Sequence, residues 1–269
     1  MAEMTFWDHL EVLRWSILRV IIVLVVVIVA CFVAMPHIFD SFILGPTHGD
    51  FFLYRLLDFG GTDGGHSAPN SLIPDFSSDF HVDIININVA SQFMTHITTS
   101  FWMSLVIIFP YLIYEVWKFL KPALYQNEKN NVRLAFLFGT GLFFIGCAIG
   151  YCIIFPVTFR FLTCYTVGSE ITNQISLNSY MSNFLTLIFV MGAVFEIPML
   201  AWILSRLGLI YKDTLKSIRR YALVVLLVLA ALITPSGDPF TLMLVFLPLY
   251  LLYELSIAVV RKRPEDCPD

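Results

Sequence analysis

Residues 180–204 read YMSNFLTLIFVMGAVFEIPMLAWIL, and Glu196 is the one charged side chain among them. The stretch is long and apolar enough to cross a bilayer as a helix, which needs about 20 residues. Glu196 lies ten residues before Arg206, which is ~15 Å of helix, or roughly half of a ~30 Å hydrocarbon core. A charged group at that depth is costly, so we expect Glu196 to have a specific role.

The whole chain has the composition of a membrane protein, since 58% of its 269 residues are hydrophobic and 13% are charged. Six apolar segments qualify as transmembrane helices. They are residues 15–35, 93–114, 134–155, 180–204, 221–233 and 240–260. The fifth covers only about 20 Å of helix, so we expect a thinned bilayer or protection by other protein there. The sequence predicts an all-α polytopic membrane protein with one domain, residues 1–269.

Lysine and arginine are distributed unevenly over the two sides that this topology defines. With the N-terminus in the cytoplasm, only Arg55 and Arg160 fall outside. The inner cations are Arg14, Arg19, Lys118, Lys121, Lys129, Arg133, Arg206, Lys212, Lys216, Arg219, Arg220, Arg261, Lys262 and Arg263. The positive-inside rule therefore predicts that both termini are cytoplasmic and that the number of spans is even. No small-residue cleavage site follows a short apolar region, so we expect the first apolar segment to be a permanent span.

The connection after the first span, residues 44–92, is the longest and least apolar. Glycines at positions 60, 61, 64 and 65 indicate a flexible tip, and alternation at Phe80, Val82 and Ile84 indicates a strand. We therefore expect a structured external cap or a small hairpin.

Two further connections carry residues that could contact a partner. The first internal loop, residues 115–133, reads EVWKFLKPALYQNEKNNVR, and Pro122 should end the preceding helix. Its interleaved aromatic and charged side chains fit either a receiving surface or an ordinary solvated loop. The turn at 233–240, ITPSGDPF, places Asp238 beside the start of a helix, where an acid can cap free N–H groups. Capping does not exclude a further role for Asp238.

Signatures of enzymes and metal sites are missing from the chain. We find no phosphate-binding Gly-rich loop with Lys-Ser/Thr, no HExxH pair and no GxSxG elbow. Five cysteines without CxxC spacing indicate neither a zinc site nor a disulfide framework. We therefore predict no catalytic residue, no cofactor, no metal and no nucleic-acid partner. One alternative is an ion- or proton-coupled secondary transporter that uses Glu196, Glu254 and Asp238, although no related halves are visible. Another is an intramembrane hydrolase, which the missing nucleophile and metal motifs disfavour.

Four motifs follow one another in a fixed order along the chain. His9-Leu10 is followed by Leu13-Arg14, and YEVWKFLKPALYQNE occupies residues 114–128. FEIP lies at 195–198 and TPSGDPF at 234–240. With six spans and both ends inside, this pattern resembles the TatC family, the polytopic subunit of the twin-arginine protein translocase. The first motif is similar to the family's HLxELR signature, and the second to its first internal loop.

The resemblance implies a receptor and scaffold in the cytoplasmic membrane of a bacterium. TatC-like proteins bind twin-arginine signal peptides of folded precursors and assemble with single-span partners of the TatA and TatB kind. Export is then driven by the proton-motive force. Self-association within the complex and contact with membrane lipid are also implied.

The resemblance also implies roles for particular residues. We expect Glu128 to be the leading partner of the peptide's arginines, because a carboxylate matches the guanidinium fork. Phe119, Pro122, Leu124 and Tyr125 are expected to shape the surface around Glu128, with Leu10 and Arg14 as supports. The signature departs at Val12, where the family usually has Glu, and Glu11 precedes it. One residue rotates a side chain by ~100° on a helix, so it stays open whether Glu11 takes over that role.

Glu196 is expected to form an intramembrane polar site with Thr234, Pro235 and Asp238. The functional reading is a contact with the membrane helix of a partner. The structural reading is a protonated or hydrogen-bonded acid that links two spans. We favour the first because intramembrane ionisable residues are usually functional.

Overall fold

The computed structural model describes residues 6–48, 51–54, 82–120, 132–165, 173–206, 208–234 and 237–261. Its main helices are α1 (Phe6–Ile38), α2 (Ser91–Leu120), α3 (Val132–Ile149), α4 (Phe155–Cys164), α5 (Leu177–Val194), α6 (Ile197–Arg206), α7 (Lys212–Ser217), α8 (Arg219–Ile233) and α9 (Pro239–Val259). Short π-helical turns at Phe39–Ile43 and Gly150–Ile154 follow α1 and α3, and Gly45–Thr47 forms a 3-10 turn. Two short strands are β1 (Ile84–Ile85) and β2 (Ile175–Ser176).

Five segments of the described chain are long and apolar enough to cross a membrane. They are Glu11–Thr47, Ser91–Lys118, Leu137–Cys164, Leu177–Arg206 and Pro239–Val259, and they correspond to the first four predicted spans and the sixth. The predicted fifth span is α8, whose 15 residues make about 22 Å of helix, less than a span usually needs. The predicted all-α polytopic fold and the shortness of the fifth segment are confirmed.

The fourth span is broken at Glu196, whereas the sequence predicts one continuous apolar segment. Helix α5 ends at Val194 and α6 begins at Ile197. Pro198 has no N–H to donate to the carbonyl four residues earlier, so the regular ladder cannot continue. The Glu196 N–H instead donates to the Ala193 carbonyl at 3.2 Å, in a tighter turn. Glu196 therefore lies in a turn between two helices and not in the middle of one.

The helices pack in pairs, with α1 on α2, α3 on α5, and α9 on both α6 and α8. The core between these pairs is apolar, and Leu187, Met191, Val245 and Leu249 have no exposed surface. The protein around these side chains separates them from lipid, and they belong to one apolar core.

Helices α3 and α5 approach each other closely through glycine. A Cβ atom added at Gly146 would lie 2.7 Å from the Met191 carbonyl oxygen and 2.8 Å from Phe195 Cβ. One added at Gly192 would lie 2.6 Å from Cys147 Sγ. Small residues at a contact between membrane helices let the backbones approach, and van der Waals packing then stabilises the pair.

The bundle has two ends, which we call inner and outer. At the inner end α1 begins, α2, α6 and α9 end, and α7 leads into α8. There the Arg261 N–H donates to Ser205 Oγ at 3.1 Å, and the Lys212 N–H donates to the Arg261 carbonyl at 2.9 Å. These hydrogen bonds join the end of α9 to the end of α6 and the start of α7.

At the outer end, the connection before α2 pairs with the connection before α5. Strand β1 pairs with β2 in parallel, with Ile84 opposite Ile175 and Ile85 opposite Ser176. The predicted hairpin is therefore wrong for Ile84, because its partner strand comes from the connection before α5. Val82 has no regular secondary structure, and Phe80 and the four tip glycines lie outside the described residues.

Tyr54 anchors the connection that follows α1 to the bundle. Its Oη lies 3.0 Å from the Pro46 carbonyl oxygen and 3.2 Å from that of Pro156. Burial raises the pKa of the Tyr54 hydroxyl, so it remains protonated and able to donate. Arg160, a buried cation at 1% exposure, lies 4.7 Å from the centre of the Tyr54 ring, a cation–π distance.

Candidate functional site

Glu196 occupies the turn between α5 and α6 and faces α3. Its side chain is 8% exposed, and Oε2 lies 3.4 Å from where a Cβ would stand on Gly139. Within the described ranges, Oε1 has no hydrogen-bond partner. The absence of a side chain at Gly139 thus leaves room for the Glu196 carboxyl group against the α3 backbone. Because Oε1 has no described partner, the carboxyl group can still accept a hydrogen bond from another donor.

Thr234 and Asp238 hydrogen-bond within their own turns. The buried Thr234 hydroxyl donates to the Ala230 carbonyl at 3.1 Å, which ends α8. Asp238 is the N-cap of α9, where its Oδ2 accepts from the Thr241 N–H at 2.7 Å. The predicted capping role of Asp238 is confirmed, and Pro235 lies outside the described residues. A role of these residues in one polar site with Glu196 stays a prediction.

The predicted peptide-binding residues fall mostly at or beyond the edge of the described chain. Leu10, Glu11 and Arg14 lie in the first turns of α1, and Glu11 and Arg14 are exposed. Phe119 lies in the last turn of α2, which ends at Leu120, two residues before Pro122. The loop residues Pro122, Leu124, Tyr125 and Glu128 lie outside the described residues. Their predicted grouping therefore remains a prediction.

Trp117 does not belong to an open receiving surface. It is 3% exposed and packs with Met199, and its ring lies 6.3 Å from that of Trp202. The aromatic side chain that the sequence groups with the loop instead attaches the end of α2 to α6. The sequence alone does not separate Trp117 from the loop residues that follow it, because its burial results from the contact between α2 and α6.

An ion pair between α1 and α2, in which only the carboxylate is buried, was not predicted from the sequence. Arg19 Nη2 lies 3.4 Å from Glu115 Oε2, and the Glu115 side chain is 4% exposed. The Tyr111 hydroxyl donates to Glu115 Oε1 at 3.3 Å. Arg19 lies inside the first predicted span and Glu115 directly follows the second. Those positions were the available signal, but pairing the two charges requires knowledge of how α1 packs on α2.

Glu254, an acid of the transporter alternative, is paired at the inner end. Arg219 Nη2 donates to Glu254 Oε2 at 2.6 Å, which ties the start of α8 to the end of α9. Among the residues that the structure describes, no group of three or more His, Cys, Asp or Glu side chains could hold a metal ion. Glu196, Asp238 and Glu254 thus have three separate settings: a buried turn, a helix cap and an ion pair.

Comparison with known proteins assigns the chain to a family. Residues 8–248 match the family "Sec-independent protein translocase protein (TatC)". A TatC from Blattabacterium sp. subsp. Periplaneta americana is 33% identical over 257 residues, which cover 96% of this chain and 95% of that protein. A TatC from Deinococcus radiodurans is 29% identical over 262 residues, covering 97% and 87%. A crystal structure of the twin-arginine translocase receptor TatC superposes with a TM-score of 0.71 at 26% identity, covering 93% of this chain and 97% of that one.

The fold defines an all-helical polytopic membrane protein. The chain belongs to the TatC family. It is accordingly a component of the twin-arginine protein translocase and not an enzyme.

Proposed function

We propose that this chain receives twin-arginine signal peptides at the inner end of the bundle, as the receptor and scaffold subunit of a translocase that exports folded proteins. The observation that supports this is the extent of the family match, residues 8–248. That range includes the first turns of α1 and the whole of the loop 115–133. The inner end is then cytoplasmic, as the distribution of lysine and arginine predicts, and the proton-motive force drives transport.

Glu128 is the proposed partner of the peptide's arginines. A guanidinium is always charged and presents its donors in a planar fork that a carboxylate accepts with two parallel hydrogen bonds. Phe119, Pro122, Leu124 and Tyr125 would form the apolar surroundings of Glu128 in this proposal. Leu10, Glu11 and Arg14 would border the same surface from the first turns of α1.

Copurification tests the receptor function directly. A tagged fusion of a twin-arginine signal peptide to a folded reporter should retain this chain on the affinity resin after solubilisation in mild detergent. A Lys-Lys version of the same fusion should retain little, because an ammonium cannot reproduce the bidentate contact. Equal retention by the two fusions would contradict the proposed function.

Glu196 is the proposed contact for the single membrane-spanning helix of a TatA- or TatB-like partner. Its buried carboxyl group keeps an oxygen without a described hydrogen-bond partner. A polar side chain on the partner's membrane-spanning helix could donate a hydrogen bond to this Glu196 oxygen, and the hydrocarbon of the bilayer offers no such acceptor. Thr234, Pro235 and Asp238 would border the path of that helix, and further copies of this chain would complete the assembly in the lipid bilayer.

Crosslinking tests this contact. A photoreactive side chain in place of Glu196 should yield an adduct with a coexpressed single-span partner. The control is the same side chain in place of Val33, which is 73% exposed on α1 and should label lipid. If position 196 also labels lipid alone, the proposed partner contact is wrong.

A further inference from the structure

A groove of about 410 Å³ lies between α2, α3 and α5. All the residues that line it belong to segments long and apolar enough to cross a membrane. On α2 they include Thr99 and Val106, which follow Ser91 at the outer end by eight and fifteen residues, or ~12 and ~22 Å of helix. The groove therefore lies within the depth of a ~30 Å hydrocarbon core.

The walls of the groove are apolar, and its rim is open. The Trp102 ring on α2 lies 4.5 Å from the Phe189 ring on α5, edge to face. On α3, Ala148 is exposed and Phe144 is 41% exposed. None of the described residues that line the groove carries a charge. Because its exposed rim lies in a membrane-spanning segment, the groove opens toward lipid.

Water is a poor occupant of this groove. The Thr99 side chain has no exposed surface, and its hydroxyl has no hydrogen-bond partner among the described residues. The Tyr151 hydroxyl donates to the Phe42 carbonyl at 2.8 Å, and the two rings stack at 4.1 Å. A buried water usually makes about three hydrogen bonds to polar groups, and Thr99 alone supplies too few. The groove therefore favours hydrocarbon over water.

A whole membrane helix is too wide for the groove. A helix with its side chains measures about 10–12 Å across, and membrane helices pack closely where small residues line the contact. Large side chains dominate the lining here, among them Trp102, Met103, Leu185 and Ile188. They keep the backbone of an incoming helix at a distance. An unbranched hydrocarbon chain fits the remaining space, whose volume lies within the ~300–1,000 Å³ of ligand pockets.

We propose that the groove binds one acyl chain of an outer-leaflet phospholipid, which fills the gap between α2, α3 and α5. An acyl chain gains no hydrophobic free energy by leaving its neighbours in the bilayer, so binding depends on van der Waals contact with the walls. An unfilled gap would deprive the lining side chains of those contacts. The bound chain thus stabilises the packing of the three helices. This proposal is independent of the receptor function proposed above.

The experiment measures phospholipid binding to the full-length protein, purified free of lipid in digitonin, whose steroid part is wider than an alkyl chain. Dioleoylphosphatidylglycerol is titrated in, and the lipid that stays with the protein through gel filtration is measured by mass spectrometry. Ala148→Phe places a ring at the rim and should weaken binding about tenfold or more, since the chain no longer fits without overpacking.

Thermal unfolding provides a second readout with the opposite sign for the variant. Saturating lipid should raise the unfolding midpoint of the parent by about 5 °C or more. It should raise that of Ala148→Phe much less, because the new ring already fills the gap. Dioleoylphosphatidylcholine should act as the phosphatidylglycerol does, since the described lining of the groove carries no charge.

Two variants serve as matched controls. Ala30→Phe adds the same ring at an exposed position of α1, eight residues before its outer end and away from the groove, and should bind lipid as the parent does. Thr99→Val keeps the shape and removes the hydroxyl, and should also bind as the parent does. If Ala148→Phe binds like the parent, or Ala30→Phe loses as much, the site is overturned. Loss of binding in Thr99→Val, or with phosphatidylcholine, would mean recognition of a polar group and would overturn the acyl chain.

Trp102 allows the same test without filling the groove, should Ala148→Phe aggregate. A dioleoyl lipid brominated at its double bonds should quench the parent's tryptophan emission with a saturable component. That component should be absent from Trp102→Phe, and a parent without it overturns the proposal. Release of a coexpressed single-span partner by Ala148→Phe, with lipid binding unchanged, would assign the groove to a helix and overturn it as well.

Discussion

Replacing Glu128 with glutamine is expected to weaken binding of a twin-arginine peptide by roughly tenfold or more. The change removes one charge and keeps the volume of the side chain, so the loss reports the charge-assisted, bidentate contact alone. A Lys-Lys peptide should change little, because it gains little from the geometry of the carboxylate. The measurement is the dissociation constant of each labelled peptide, by fluorescence anisotropy, for the parent and the variant in nanodiscs.

Glu11 and Val12 provide the controls for this experiment. On α1 the Glu11 side chain is exposed and that of Val12 is only partly buried, and the two point ~100° apart around the helix. Glu11→Gln tests whether Glu11 takes part, and a gain of affinity in Val12→Glu would show that the departure from the family signature matters. If Glu128→Gln binds both peptides as tightly as the parent does, Glu128 is not the arginine partner.

Replacing Gly146 with alanine is expected to destabilise the membrane domain by about 1–3 kcal/mol, the cost of overpacking a close contact. The new methyl group would lie 2.7 Å from the Met191 carbonyl oxygen and 2.8 Å from Phe195 Cβ. Neither is the end of a flexible side chain, so α3 and α5 would have to move apart. The free energy of unfolding, from titration with a denaturing detergent and far-UV circular dichroism, measures the effect.

Gly141→Ala is the matched control for that substitution. Gly141 lies in the same helix, five residues earlier, and an added Cβ there would meet nothing within 4 Å. Because alanine is the better helix former, this variant should be as stable as the parent or slightly more so. Equal destabilisation by the two alanines would mean that the cost comes from the α3 helix itself and not from its contact with α5.

The membrane spans were predictable because the hydrocarbon core of the bilayer constrains the residues of each crossing segment individually. Each segment must supply its own apolar length and its own backbone hydrogen bonds, so composition within a window of about 20 residues identifies it. The same reasoning predicted that α8 would be short. It did not predict the break at Glu196, although Pro198 is present in the sequence. A hydropathy window scores side-chain polarity and does not detect the backbone N–H that proline lacks.

The candidate site was predictable only where a single residue carries the signal. Glu196 stands out as one charge in an apolar stretch, and Asp238 stands out as a cap beside Pro239. The burial of Trp117 was not predicted because it depends on α6, which is distant in the sequence. The pairing of Arg19 with Glu115 was not predicted for the same reason, since it depends on α1 packing against α2.

The amino-acid sequence by itself determined the class of fold, the number of apolar segments and the membership of the TatC family, because these depend on local composition and on ordered motifs. Only the tertiary structure decided what each buried carboxyl group faces. It placed the Glu196 carboxyl against Gly139 and the Arg19 guanidinium beside Glu115. The physical reason is that the energy of a buried charge depends on neighbours a few ångströms away, and helix packing brings those neighbours from distant parts of the chain.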